Sequence, residues 1–251
     1  MKQVVCDSFP TGNGEIVLQG EAHRHLAMSL RKRVGEHINL RLPSGELLAS
    51  EIIEISKERI VCRCFSSVAE ARQLDVIFVL LQWELKGDKM DGVIRSATEI
   101  GVQYILPVIG CYSVPRAKNE KEKLRRESIV KSAREQSGSP ISTTVFESLA
   151  LPLALERLNG LCIGKKVKKL LAYEMADEMG GSVFSSIEGN EEVVVVAIGA
   201  EGGISEDECS FLKKQDFTIL YFGSNILRAE TASIYALSSL REAYIAKKQL
   251  V

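Results

Sequence analysis

One stretch constrains the fold more than any other: Val193-Val194-Val195-Val196-Ala197-Ile198, followed at once by Gly199-Ala200-Glu201-Gly202-Gly203. A strand with no polar face must be covered on both sides, as happens in a parallel sheet flanked by helices. Glycines at the carboxyl end of such a strand let backbone approach a ligand with no Cβ in the way. In open α/β sheets that end is where ligands bind. Downstream, Ser205 and Glu208 have the spacing of a capping box, so a helix is predicted to start there. Taken alone, the glycines are equally compatible with a tight turn before that helix.

The residues around this strand repeat its grammar. Val76–Leu81 is a second apolar run, and Met90, Val93, Ile94, Ala97 and Ile100 recur at helical spacing before Gly101, a predicted C-cap. Further strands are predicted at Tyr104–Ile109, Ser142–Phe146, Leu170–Tyr173 and Thr218–Phe222, with a charged helix over Glu120–Gln136 and a last helix from about Thr231 to Lys247. Met175–Asn190, rich in Gly, Ser and acid, reads as a loop. Strand–helix alternation of this kind predicts an α/β domain with a mostly parallel sheet. The first part of the chain has a different texture. Ile38–Leu42, Leu47–Ile55 and Arg59–Phe65 read as strands, the first two joined by Pro43-Ser44-Gly45, with a helical stretch at Glu21–Leu30. Residues 1–70 are therefore expected to form a small β-barrel and residues 73–251 the α/β domain.

A second strand end resembles the first. Thr218–Phe222 runs into Gly223-Ser224-Asn225-Ile226-Leu227-Arg228-Ala229-Glu230-Thr231-Ala232. Ile226 and Leu227 can wall a flat ring, and Arg228 and Glu230 stand at the entrance of the last helix. Each is also compatible with an ordinary helix start, but two glycine-bearing strand ends in one sheet favour a ligand site. Common nucleotide signatures are missing: no G-x-G-x-x-G follows the first α/β strand, and Gly164-Lys165-Lys166 lacks the upstream glycine of a P-loop. This disfavours Rossmann dehydrogenases, Rossmann-type methyltransferases and P-loop NTPases.

Net charge is −1, so any nucleic-acid surface must be local. The best phosphate-contact segment holds His23, Arg24, His25, Arg31, Lys32 and Arg33. A second, Arg116 to Arg134, is interleaved with acids and also reads as a salt-bridged helix face; Lys165–Lys169 is a weaker third. Six scattered cysteines without a C-x-x-C pair read as reduced thiols of a cytosolic protein. No signal peptide is expected from MKQVVCDSFP, no apolar run is long enough for a membrane span, and no His/Cys/carboxylate set has metal-ligand spacing.

Several stretches, taken together, resemble a known family. They are His25-Leu26 with Leu30-Arg31-Lys32-Arg33-Val34-Gly35, Lys86-Gly87-Asp88-Lys89-Met90-Asp91, Ala97-Thr98-Glu99-Ile100-Gly101-Val102, Ala133-Arg134-Glu135-Gln136-Ser137, Ile198–Ser205 and Ile226–Ala232. In this order, over essentially the whole chain, they resemble the RsmE-type 16S ribosomal RNA uridine-N3 methyltransferases of the SPOUT superfamily. The resemblance implies an amino-terminal PUA-like RNA-binding barrel, an α/β domain with a deep trefoil knot, a homodimer, and a cytoplasmic enzyme acting on 16S ribosomal RNA or the small ribosomal subunit. Topology rules alone argue against a knot. It also implies S-adenosyl-L-methionine held by three loops, mapping to Leu171–Glu174, Ile198–Gly203 and Phe222–Arg228, with no metal. The expected cofactor contacts are Leu171, Ala172 and Tyr173; Ile198, Gly199, Glu201, Gly202 and Gly203; Phe222, Gly223, Ile226, Leu227 and Arg228; and Thr231 and Ala232 on the helix behind. Expected RNA contacts are His25, Arg31, Lys32, Arg33, Lys86, Lys89 and Arg116. For the chemistry, Arg228 is expected to stabilise developing charge, and Glu230 or Glu201 to take a proton. The chain departs from the family pattern at Ala200, where proline is usual, and at Asn225 and Ser139, where arginine is usual. Two other readings stay open: a SPOUT enzyme for another ribosomal or transfer RNA base, and a non-catalytic RNA-binding protein.

Overall fold

The computed structural model describes residues 2–70, 73–113, 120–173, 181–222 and 225–249. The chain falls into two compact units, Met1–Arg72 with Lys131–Ser142, and Gln73–Val130 with Thr143–Val251.

In the first unit, β1 (Val4–Val5), β2 (Glu15–Gln19), β3 (His37–Arg41), β4 (Leu47–Ile55) and β5 (Arg59–Ser67) form a sheet in the order β1-β3-β4-β5-β2. Only the β1–β3 pair is parallel. Strand alternation turns Ile16, Leu18, Leu40, Ile52 and Ile60 inward around Leu26. Two register shifts between β4 and β5 bend the sheet into a half-barrel. The expected helical stretch Glu21–Leu30 is present as α1 (Gly20–Arg24) widening into a π-helical turn, His25–Ser29; Arg31, at φ 50°, turns the chain out of it. Lys131–Ser142 joins this unit through Gln3, whose amide donates to the carbonyls of Arg134 and Ser139 at 3.0 Å each, and through Val5 N–H, which donates to Glu135.

The second unit contains β6 (Ile77–Trp83), α2 (Lys89–Ile100), β7 (Tyr104–Ile109), most of α3 (Glu120–Ser137), β8 (Thr144–Val145), β9 (Leu149–Ala150), α4 (Leu151–Cys162), β10 (Val167–Ala172), α5 (Val183–Ser186), β11 (Val193–Ile198), α6 (Glu206–Lys213), β12 (Phe217–Leu220) and α7 (Ala229–Gln249). Its strands are all parallel, in the order β12-β10-β11-β6-β7-β8, with β9 also on β7. β11 is buried along its whole length, as its sequence demands. α2 buries Met90, Val93, Ile94 and Ala97, and Gly101 ends it at φ 94°. Sequence reading passed over α4, although Leu151, Ala154, Leu155 and Leu158 make a regular buried stripe behind Pro152. The expected strand Ser142–Phe146 shrinks to the two residues that pair with β7. Within the segment expected to be a loop, Val183–Ser186 forms a helical turn capped by Ser182.

α7 packs on the sheet, on α2 and on α5. Ala236, Leu237, Leu240 and Tyr244 are buried in the sheet core, the Tyr244 hydroxyl donates to the Glu191 carbonyl, and α5 packs on α7 with Lys247 over the Phe184 ring at 4.6 Å. The helix after the last strand thus packs on the described part of a connection made earlier in the chain.

Candidate functional site

Strand register builds the site. Ala172 pairs with both Ile198 and Leu220, and Ile198 pairs with Gln82, so four strands end in one row. The residues just after β10, β11 and β12 therefore stand side by side at the carboxyl edge of the sheet. They enclose a cavity of about 560 Å³ together with the start of α7 and Lys89 of α2. Small-molecule sites run from roughly 300 to 1,000 Å³.

Most of the residues expected to hold a cofactor line this cavity: Ala172 and Tyr173; Ile198, Gly199, Glu201 and Gly203; Phe222, Ile226, Leu227 and Arg228; and Ala232. Leu171 is fully buried in the core behind them, and Thr231 is exposed on α7 outside the lining. Gly202 is also off the lining: a Cβ there would stand 2.9 Å from Tyr112 Cβ. Gly223 lies outside the described residues. Gly199 is held by contact, since a Cβ would come within 2.8 Å of the Gly203 carbonyl carbon and of Ile204 Cγ1.

Two polar residues fix these loops, Gln82, which sequence reasoning missed, and Glu208, which it read only as a cap. Gln82, fully buried, donates to the carbonyls of Ile198 and Gly199 at 3.3 Å and accepts from the Ser233 hydroxyl on α7. Its signal was its place as the polar residue in the apolar run Val76–Trp83. Glu208 does more than cap α6. One carboxylate oxygen accepts from Trp83 Nε1 at 3.1 Å and Cys111 N–H at 3.0 Å, the other from the Ser205 N–H and hydroxyl at 3.0 Å each.

The charged groups are unequal. Glu201 accepts from Lys89 Nζ at 3.0 Å and from the Lys86 N–H at 3.2 Å. Burial pushes its carboxyl up, but the hydrogen bonds from Lys89 and from the Glu201 and Lys86 amides, with the Lys89 charge, outweigh burial and hold it below the usual carboxylate range. That favours fixing the loop over taking a proton. Glu230 Oε2 faces the same ammonium at 3.8 Å and makes no hydrogen bond among the described residues. Arg228 is exposed on the cavity wall, and among the described residues its guanidinium has no partner.

The expected RNA contacts separate in a similar way. In the first unit His25, Arg31 and Arg33 are exposed, whereas Lys32 is paired with Glu36 at 2.5 Å and His23 is buried against the Ser56 carbonyl. In the second unit Lys86 is exposed and Lys89 is on the cavity wall; Arg116 lies outside the described residues. Much of the α3 basic stretch is committed internally: Arg126 is buried between Glu84 and Glu122, and Arg125 pairs with Asp88 and Asp91. Lys166, at the opposite end of the strands, is bound to Glu188 and Asn190. Of the six free cysteines, Cys6 and Cys62 are buried thiols that burial pushes up to about 12, while Cys111 is exposed. Among the described residues no three His, Cys, Asp or Glu side chains converge as a metal site, and no helix is long and apolar enough to cross a membrane.

A parallel sheet whose carboxyl edge presents glycine-bearing loops, and an arginine with no partner among the described residues, around a small-molecule cavity is the frame of a ligand-binding α/β enzyme. A family model described as an RNA methyltransferase domain matches residues 72–241, and the chain belongs to that family. A Ribosomal RNA small subunit methyltransferase E 2 of Borreliella burgdorferi is 31% identical over 95% of this chain and 96% of that protein. A Ribosomal RNA small subunit methyltransferase E of Bacillus subtilis is 29% identical over 89% of this chain and 88% of that protein. Among solved structures, a Ribosomal RNA small subunit methyltransferase E from Neisseria gonorrhoeae, bound to S-adenosyl methionine, superposes with a TM-score of 0.84 at 25% identity, covering 96% of this chain and 97% of that one. The half-barrel followed by a parallel sheet with helices is the fold of that enzyme.

Proposed function

We propose that this protein is an S-adenosylmethionine-dependent methyltransferase that modifies N3 of a uridine in the RNA of the small ribosomal subunit, in the cytoplasm. The observation that carries this reading is the cavity at the ends of β10, β11 and β12, with Arg228 and Glu230 at the start of α7. It sits in a chain that spans nearly the full length of relatives named small-subunit ribosomal RNA methyltransferases. The residues fit the cofactor. Ile226 and Leu227 offer an apolar wall to an adenine ring, and glycine-bearing loops offer backbone. S-adenosylmethionine, when bound, supplies a methyl group on a sulfonium, whose bonding pair stays with sulfur as the methyl leaves.

The chain's own residues must make the uridine a nucleophile. Breaking the N3–H bond leaves an electron pair on N3 to form the new N–CH₃ bond. Glu230, next to the cavity-lining Arg228 and Ala229 at the start of α7, accepts the proton and later gives it to water. Arg228 stabilises the charge that spreads onto O2 and O4, because its guanidinium stays protonated and donates along a plane. Glu201, held by Lys89 and Lys86, keeps the glycine loop in place. Exposed Arg31 and Arg33 meet phosphate. A second copy pairs through the exposed part of α7 around Ile234 and Tyr235, giving a homodimer.

The test is to incubate the protein and labelled cofactor with small-subunit RNA from a strain lacking the modification, and to map the product by mass spectrometry. Methyl on N3 of one uridine is expected. Transfer to a transfer RNA or another base alone overturns the substrate, and no transfer by folded, cofactor-binding protein leaves an RNA-binding protein. A monomer by light scattering at micromolar concentration overturns the dimer.

A further inference from the structure

The cavity has two kinds of wall. Ile226 and Leu227, after β12, are apolar, whereas α2 contributes Lys89 and the loop after β11 contributes Glu201. Among the described residues the charged side chains of the lining are Lys89, Glu201 and Arg228, so Glu201 is its one carboxylate. Glu201 Oε1 lies 3.0 Å from the Lys89 ammonium. Both groups have bonding capacity left. The hydrogen bonds from Lys89 Nζ and the Lys86 N–H fall on the same oxygen of Glu201, whereas a carboxylate can accept about four. An ammonium donates more than once, and among the described residues the only hydrogen bond of Lys89 Nζ goes to Glu201. Glu230 Oε2, 3.8 Å from that ammonium, is buried and off the lining. The side chains of Lys89 and Glu201 are 40% and 26% exposed, so their pairing adds little stability and opens to a competing partner at low cost.

S-adenosylmethionine is divided in the same way. One end is a flat ring system; the other is an amino acid whose ammonium and carboxylate stand on a single carbon. We propose that the Lys89–Glu201 pair is the subsite for that amino-acid end, with Lys89 taking the carboxylate and Glu201 the ammonium. The inference rests on the reading of this cavity as the cofactor site. Adjacent opposite charges suit a zwitterion, because each member of the pair gains a partner of opposite sign and neither is stranded. A phosphate of RNA, the partner expected for Lys89 from the sequence, suits the pair poorly: beside the ammonium it would meet the Glu201 carboxylate and leave it repelled. Other groups of the same turn do not compete. Asp88 is tied to Arg125 at 2.9 Å, and Lys86 gives Glu201 its backbone N–H. Arg228, on the segment after β12, is left for the uracil. Lys89 thereby moves from the expected RNA surface to the cofactor site.

The test is isothermal titration of the full-length protein, without RNA, using three nucleosides. S-adenosylhomocysteine carries the whole amino-acid end, decarboxylated S-adenosylmethionine only its ammonium, and 5′-methylthioadenosine neither charge. Wild-type protein should bind S-adenosylhomocysteine about tenfold or more tighter than methylthioadenosine, since hydrogen bonds to charged groups are the strong ones. Lys89→Met should lower S-adenosylhomocysteine affinity by about tenfold or more and leave the other two nucleosides within about twofold. Lys89→Arg should recover most of the loss. Equal wild-type affinity for S-adenosylhomocysteine and methylthioadenosine overturns the proposal without any variant. An equal loss for all three nucleosides in Lys89→Met, with a lowered melting temperature, overturns it in favour of a lysine that only holds the glycine loop. Unmoved nucleoside affinities, with weaker RNA binding and a shallower salt dependence, overturn it in favour of a phosphate contact. Should the affinities move as stated while RNA receives no methyl group, the proposed function fails and the subsite stands.

Discussion

Replacing Gly199 with alanine separates loop geometry from loop composition. Its φ lies outside the left-handed region, so backbone conformation alone does not exclude a side chain. Contact does: the new methyl would stand 2.8 Å from the Gly203 carbonyl carbon, 2.8 Å from Ile204 Cγ1 and 2.9 Å from the Gly203 carbonyl oxygen. Ordinary contacts begin at 3.4 Å, so each must open by about 0.5–0.6 Å, and two of the three atoms are backbone that cannot rotate away. Overpacking of this kind costs about 1–3 kcal/mol. If the loop must recover its shape to bind, cofactor affinity falls about fivefold to 150-fold. Gly202→Ala is the comparison: its new methyl would meet Tyr112 Cβ at 2.9 Å, which ring rotation cannot relieve, but the position is off the cavity lining, so stability should fall while affinity drops less than about fivefold. Isothermal titration with S-adenosylmethionine, with melting curves of both variants, reads the difference. Gly199→Ala binding within twofold of wild type at an unchanged melting temperature would refute the reasoning, as would Gly202→Ala proving the more damaging.

Three further substitutions probe other parts of the molecule. Arg228→Ala should lower single-turnover rate by about a hundredfold to a thousandfold while cofactor affinity stays within a few-fold, and Arg228→Lys should rescue in part; loss of affinity at normal turnover would mean that the arginine only holds its loop. Arg31→Ala combined with Arg33→Ala should weaken RNA binding and lower the slope of log K against log salt by about one per lost phosphate contact, with cofactor binding unmoved. Ser205→Ala removes the α6 cap, which is worth about 1 kcal/mol, so the melting temperature should drop by about 2–4 °C.

How much of this was legible beforehand follows from what each signal reports. β11 and α2 were readable to within a residue because burial on both faces, or on one helical face, leaves a strict apolar pattern. The cavity wall was readable at Ile198–Gly203 and Ile226–Arg228, where glycine and apolar residues cluster in sequence. Its closure was not, because Lys89 arrives from α2, more than a hundred residues upstream of Glu201. Gln82 and Ser233 lie 151 residues apart, and nothing local to either says that they meet. The packing of α7 on α5 is likewise a long-range contact, which periodicity does not encode. On α3 the interleaved acids pointed to a salt-bridged face, and Arg126 does pair with Glu122 one turn away; that its second partner is the buried Glu84 was not readable. The sequence shows that a residue is charged; only packing shows whether its partner is a protein carboxylate or a phosphate.

The all-apolar strand at the centre of the sheet has a consequence for how the chain reaches its fold. β11 needs β6 on one side and β10 on the other, and its partner β6 begins 116 residues earlier in register. High contact order of this kind slows folding, so the Val193–Ile198 run must spend time exposed before both flanks arrive. Bare, it has what aggregation favours: β-branched side chains, no charge and no proline. Glu191 and Glu192 immediately before it stand where gatekeeper charges flank an apolar strand. In the finished protein they change employment: Glu191, now buried, accepts the N–H groups of Glu188 and Gly189, and Glu192 accepts that of Lys166 at the mouth of β10. The same two carboxylates that flank β11 as charges while it is unpaired thus end by anchoring the turns that lead into it.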